Sequence, residues 1–373
     1  MSIFYSNKIV LSDDVIKGSI TVEDGRIVAI RRDHKPEGGF VDLTDRFVLP
    51  GFVNIISDNY VKEVKSPYNK YFSEKKIFHR LDRQLVGSGV TTNFHTFHLE
   101  ELLKDRSSED VIEYLQSIRK GLCERCLIDH RIHLVFKLGG HLANKNLREL
   151  ILSGVVDFIT CTEIYSRDLF HYRNQYFVQQ LQSRFDLDDE QAYQALQKLI
   201  VLREESALDE LSYRIKSAKN TGLPFASDRF QLAKMLKEEY KTQIDMILGT
   251  HSLETLKHMK EENIRYAFDI ESMIRSADPP DLMELLSEKL VQVIAAPDRN
   301  EDILGYVFEM EGMLGLPEAV NMFSLHPSDA MNMKDRGSIE VGKKADFIVV
   351  EMVREIPTIA MMIINGKIAM QYY

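Results

Sequence analysis

Eight short apolar runs in this chain each close on, or beside, a residue that can do chemistry. The runs are FVNIIS, TTNFHTF, IHLVFKL, VDFITCT, LPFAS, QIDMILGT, IRYAFDI and VQVIAAPD. The residues are Asp58, His95 or His98, Lys137, Glu163, Asp228, His251, Asp269 and Asp298. Carboxylates gathered at one site cannot all stay ionised without a compensating cation. Two cations satisfy that demand. One is a divalent ion, and a carboxylate-rich set favours hard ions such as Mg or Mn, whereas histidines suit Zn. Such ions lower the pKa of water and stabilise charge on phosphoryl oxygens. The other is the ammonium of Lys137, which would replace the metal outright. Both readings stay open: a metal-free site, or one to two divalent ions (Zn, Mn or Mg).

The elements that must carry these residues follow from the pattern. Each apolar run is followed by a helical stretch, and eight such βα units over about 270 residues have the rhythm of a (β/α)8 TIM barrel. Strands buried on both faces read as continuous apolar runs. In such barrels the chemistry sits at the C-terminal strand ends. The termini read differently. SNKIVLSDDVIKGSITVEDGRIVAIRR alternates with β-branched residues around a turn at Glu23-Asp24-Gly25. The C-terminal stretch has an Asn365-Gly366 hairpin signal. The expectation is an α/β fold: residues 51–334 as the barrel, and 1–50 with 335–373 as a small β-sandwich domain. A polar helical insertion is expected near 184–222.

Composition narrows the function. The chain has 373 residues, 44% of them hydrophobic, and a net charge of −10. No basic cluster is present, so nucleic acid is not an expected partner. The apolar runs are too short to cross a membrane. MSIFYSNKIVLSDD lacks the pattern of a signal peptide, so none is expected, and three cysteines suggest no disulfide framework, so a cytoplasmic location is expected.

The order of FVLPGFVN, SGVTT, eight βα units and RGSIEVGKKADFIVV resembles the amidohydrolase superfamily. Within it, SDNYVKEVKSPY, DHRIHLVFKLGGH, SGVVDFITCTE, LPFASD and ILGTHSLETLKHMKEENIRYAF are similar to the phosphonate-metabolism hydrolases of the PhnM type. The resemblance implies a hydrolase for a phosphorylated or otherwise anionic small molecule, and it allows a homodimer. It implies Asp58, Asp228, Asp298 and Glu163 as metal ligands, Asp298 as the general base, and Lys137 bridging ions or replacing them. The chain departs from the family where histidines are expected. The first strand ends Ile56-Ser57-Asp58, the fourth Glu163-Ile164, and the fifth Ala226-Ser227-Asp228. FDIESMIRSADPPD stands where the family has a Gly-rich phosphate segment. These departures support an alternative: a catalytically inactive, metal-free relative that binds a small anionic ligand or a protein partner.

Other residues carry both a functional and a plain reading. His141 follows Gly139-Gly140, and His251 follows ILGT; either contacts substrate or sits on a polar rim. Arg167 and Arg173 follow the fourth strand and suit a phosphate. His95 and His98 are ligands of a relocated site or rim residues, and His133 reads as a satisfied core histidine. Lys62, Lys65, Lys75, Lys76 and Arg80 attract an anion or form a solvated face. Cys123-x-x-Cys126 is a single pair, which does not support a zinc ribbon.

Overall fold

The computed structural model describes residues 1–372 except 105, 122–124, 139–140, 164–177, 180–181, 183–186, 229, 240, 250, 271–280 and 297–302. The side chains of 138, 141–145, 163, 195–208, 210 and 231 also lie outside the described residues.

Sixteen strands are described. β1 (Ser2–Val10), β2 (Val15–Glu23), β3 (Arg26–Arg32), β4 (Val41–Asp42) and β5 (Phe47–Pro50) come first. β6 (Phe52–Ser57), β7 (Val90–His98), β8 (Asp129–Leu138), β9 (Phe158–Glu163), β10 (Phe225–Ser227), β11 (Met246–Ile247), β12 (Arg265–Asp269) and β13 (Val293–Ala295) follow. β14 (Phe347–Val353), β15 (Ile356–Ile364) and β16 (Lys367–Gln371) close the chain.

β6 to β13 are the eight apolar runs, paired side by side in chain order. Every recorded pairing in this row is parallel. The two end strands lie against one another, and their backbone meets one connection. Val53 N–H donates to the Phe323 carbonyl (2.8 Å) and Ile294 N–H to the Met322 carbonyl (3.2 Å). Edge donors that would otherwise be orphaned are thereby satisfied at the seam. The barrel is filled by apolar side chains from around the ring, including Val53, Ile55, Phe94, Phe158, Met246 and Val293.

The two termini build the other sheet, in the order β16-β15-β14-β5-β1-β2-β3, with β4 beside β1. Its own core contains Phe4, Ile9, Ile20, Val48, Phe347 and Ile363. Both hairpin signals are realised. Asp24 and Gly25 have φ of 49° and 77°, and Asn365 and Gly366 have 48° and 72°, the left-handed pair a tight two-residue hairpin requires.

The expected helical insertion contains one helix of 32 residues, Asp189–Asn220. Asp188 and Gln191 form a reciprocal capping box at its start.

At the N-terminal ends of β7 and β8, the Arg-Gly of RGSIEVGKKAD reaches the barrel. Arg336 Nη1 donates to Thr92 Oγ1 (2.8 Å) and to Asp129 Oδ2 (2.6 Å), while Nε donates to Asp335 Oδ1 (2.9 Å). The Arg336 side chain is buried, and the Asp129 carboxyl is also held by Arg131 (2.8 Å). Burial pushes the Asp129 carboxyl up, but Arg131 and Arg336 outweigh it and hold it below the usual carboxylate range. Closing the barrel and returning to the terminal sheet thus share one guanidinium.

Candidate functional site

The C-terminal mouth is built from the ends of β6 to β13. Ile56 is half-buried and packs against the apolar filling of the barrel. The register between β6 and β7 shifts between Asn54 and Ser57, so the strand end does not continue simple alternation. Ser57 is buried. Its N–H donates to Thr96 Oγ1 (3.1 Å), and its Oγ has no hydrogen-bond partner among the described residues. Asp58 precedes the helix Asn59–Lys65, and its Oδ1 forms an ion pair with Lys62 (2.9 Å).

Asp228 follows β10, is half-buried, and its N–H donates to the Cys161 carbonyl (3.4 Å). Asp269 ends β12. The Lys137 side chain is exposed, and Lys137 N–H donates to Glu100 Oε1 (2.7 Å). His251 Nε2 bonds the Leu248 carbonyl (2.9 Å), and its ring lies edge-on to Tyr266. Asp298 and Arg167 lie outside the described residues, as does Arg173. Glu163 ends β9 and His141 opens the helix His141–Leu152, but their side chains are not among those described.

A metal at this mouth meets a weak donor set. Ile56 offers no ligand atom. Among the described residues neither Asp58, which pairs with Lys62, nor Asp228 belongs to a group of three potential ligands. With Asp298 and the side chains of Glu163 and His141 outside the described residues, those described do not by themselves make a metal centre here.

Below the mouth a polar chain crosses the barrel. Thr96 Oγ1 bonds His133 Nδ1 (3.0 Å), and His133 Nε2 bonds Thr160 Oγ1 (2.7 Å). The ring stacks on Phe158 at 4.4 Å. Burial, with a smaller contribution from His98, pushes the His133 pKa down to about 3. A neutral ring with hydroxyls at both nitrogens is the satisfied core histidine that the sequence suggests.

The two histidines of β7 part company. His98 is exposed at the strand end, where a rim residue is expected. His95 is fully buried and sits outside the barrel wall, against Tyr60 and Phe78. Side chains alternate along a strand, and His95 falls on the outer face. Its Nε2 bonds His130 Nδ1 (2.9 Å), and His130 Nε2 bonds Asp82 Oδ1 (3.1 Å). Asp82 also accepts the N–H groups of Leu127 (3.0 Å) and Ile128 (3.2 Å).

Burial raises the Asp82 carboxyl, but His130 and these N–H groups prevail and lower it. Burial and the nearby His130 hold His95 well below the ordinary histidine range. No motif spacing in the sequence marks this network. Its signal is Asp82 itself, a carboxylate on the buried face of the helix Glu74–Gly87 among Phe78, Leu81 and Leu85.

Residues 175–369, more than half the chain, match the Amidohydrolase family. The chain belongs to that family. It is similar, at 21% identity over 363 residues, to the alpha-D-ribose 1-methylphosphonate 5-triphosphate diphosphatase of Escherichia coli (strain K12). That match covers 92% of this chain and 93% of the relative. Its fold is shared with 5-methylcytosine deaminase from Klebsiella pneumoniae (TM-score 0.65, 13% identity, 100% and 98% of the two chains). N-acetylglucosamine-6-phosphate deacetylase from Pasteurella multocida shares it as well (TM-score 0.61, 14% identity, 98% and 99%).

Proposed function

We propose that this chain hydrolyses a phosphorylated or otherwise anionic small molecule of the phosphonate-metabolism kind at the C-terminal mouth of its barrel. One observation carries this reading: the likeness to a triphosphate diphosphatase runs through 92% of the chain, alongside membership of a hydrolase family. In the proposed chemistry Asp298 takes a proton from the attacking water, and the Lys137 ammonium offsets charge developing on the phosphoryl oxygens. His141, Arg167 and His251 hold the anion. Asp58, Asp228 and Glu163 shape the mouth electrostatically, and no step runs through a metal.

A second reading is favoured by two features, Ile56 in the barrel filling and the Asp58–Lys62 ion pair. In that reading the mouth binds the anion without cleaving it.

Pyrophosphate release from a 5-triphosphorylated riboside, measured with chelator and with added Mn, Mg or Zn, separates the two. Hydrolysis should fall by about a hundredfold or more in Asp298→Asn. Protection of the protein against thermal unfolding by the triphosphate, without release, selects the second reading. Neither release nor protection would overturn both.

A further inference from the structure

A second group of ligand-type side chains lies away from the mouth, in the layer between barrel wall and outer helix. Asp82, Cys126 and His130 each place one potential ligand atom within 4.8 Å of the others. Asp82 and His130 are buried and Cys126 is half-buried. The three come from the helix Glu74–Gly87, the loop before β8, and the second residue of β8 itself.

Two features make this more than a chance meeting of polar groups. The first is orientation. Tetrahedral zinc with bond lengths near 2.0–2.1 Å to N and O holds such ligands about 3.3 Å apart. Asp82 Oδ1 and His130 Nε2 are 3.1 Å apart, so a proton now lies between them where an ion would sit. Outer partners already fix both groups. Leu127 and Ile128 N–H hold the carboxylate, the Arg83 guanidinium pairs with its other oxygen, Oδ2, and His95 holds the far nitrogen of His130. The chain extends to Asn93, whose Nδ2 lies 3.4 Å from His95 Nδ1 and whose Oδ1 has no partner among the described residues. If a metal replaced the His130 Nε2 proton, His130 Nδ1–H would donate to His95 Nε2. His95 Nδ1–H would then need an acceptor, which Asn93 Oδ1 supplies after an amide flip.

The second feature is access. Cys126 and Leu127 line a cavity of about 860 Å³. Its other walls are the hairpin turns of the terminal sheet at Asp24-Gly25 and Asn365-Gly366. An ion therefore has a way in, and a coordination position can face that space.

We propose that Asp82, Cys126 and His130 bind a zinc-class divalent ion, with the Cys126 thiolate as the soft ligand and the fourth position open to the cavity. Binding exchanges one proton for metal: the Cys126 thiol releases it, while His130 and His95 only shift tautomer and stay neutral, and nothing is oxidised or reduced. The ion clips the outer helix to the start of β8. It lies apart from the mouth, at the N-terminal end of β8.

The test is cobalt titration of the chelator-treated full chain, read by absorbance. The expected result is one Co(II) per chain with a near-ultraviolet thiolate charge-transfer band, displaced by zinc. Cys126→Ser should abolish the band and weaken zinc binding at least about tenfold, with circular dichroism reporting an intact fold. Cys161→Ser should keep the band. Asp228→Asn should also keep it, which separates this site from the mouth. Absence of the band at micromolar Co(II), or its survival in Cys126→Ser, would overturn the proposal.

Discussion

A histidine at position 56 would have to displace part of the apolar filling of the barrel. Ile56 packs against that filling, and an imidazole there would set a polar group into it without a described partner. Burying such a group typically costs about 1–3 kcal/mol. Ile56→His is therefore expected to lower unfolding free energy by about that much in urea titration; an unchanged midpoint would show that the position tolerates a ligand. Arg336 makes the opposite case, a polar residue that cannot be lost. Removing it leaves Thr92 and Asp335 without their bonds and strips Asp129 of one of two guanidinium partners. Arg336→Met should cost about 3 kcal/mol, the lower end for a broken buried pair because Arg131 remains. A loss under about 1 kcal/mol would mean that Arg131 alone suffices. At this scale the sequence was only partly legible. Asp58 and Asp228 do stand at strand ends, because strand ends follow from run lengths. The Lys62 partner of Asp58 could not be read, since a local i,i+4 pair and a long-range one to Lys137 look alike on paper. His95 fell on the outer face for a reason that one strand cannot reveal: which face is outer depends on the helix packed against it.

Elements were read more easily than sites. A doubly buried parallel strand tends to a continuous apolar run, which marks most of the barrel strands, even β11, only two residues long; β7, with Thr92, Asn93, His95 and Thr96 buried, is marked instead by its β-branched and aromatic residues. The seam carries no such mark. Met322 and Phe323 accept bonds from both end strands through their backbone carbonyls, and a carbonyl has no residue signature. The Arg-Gly of the closing motif lies between these extremes, because its glycine has a geometric reason. Gly337 has φ of +85°, and a Cβ there would meet Ser328 Oγ at 2.4 Å and the Ser324 carbonyl at 2.7 Å. The serine side chain can rotate, but the carbonyl belongs to the turn that leads into the helix Leu325–Ala330 and cannot move alone. Gly337→Ala combines positive-φ strain with this overlap and should destabilise by about 2–4 kcal/mol. The same substitution at Gly342, also at positive φ but with nothing within 4 Å, should cost only the strain, about 1 kcal/mol. Thermal melts of the two variants check the difference, and equal losses would show that the clash is relieved without cost.

Across the whole molecule, two buried neutral histidines tie stability to pH. His133 is held down to about 3 from an ordinary 6.5, and His95 also lies well below its ordinary value. In the unfolded chain both rings are solvated and take up protons near 6.5. Below that pH the unfolded state binds protons that the folded state refuses, so unfolding becomes easier as pH falls. Their contribution is complete above about 6.5 and is lost progressively between 6.5 and the folded values. Each ring that stays neutral adds a slope of up to about 1.4 kcal/mol per pH unit in that window. The carboxylates held below their usual range, such as Asp82 and Asp129, act in the same direction only nearer pH 4. The interval from 6.5 to 5 thus lies above those carboxylates, while Asp346, whose carboxyl burial raises, acts the other way and is common to the parent chain and the His133→Gln variant. Unfolding free energies from urea titrations at pH 7.5, 6.5 and 5.5 should fall more steeply for the parent chain than for His133→Gln. Glutamine can still bridge Thr96 and Thr160 but takes no proton. The difference between the two slopes reads the His133 contribution alone, because His95 is common to both. Parallel slopes would mean that His133 is protonated in the folded barrel, which would require a carboxylate or water close enough to hold its charge.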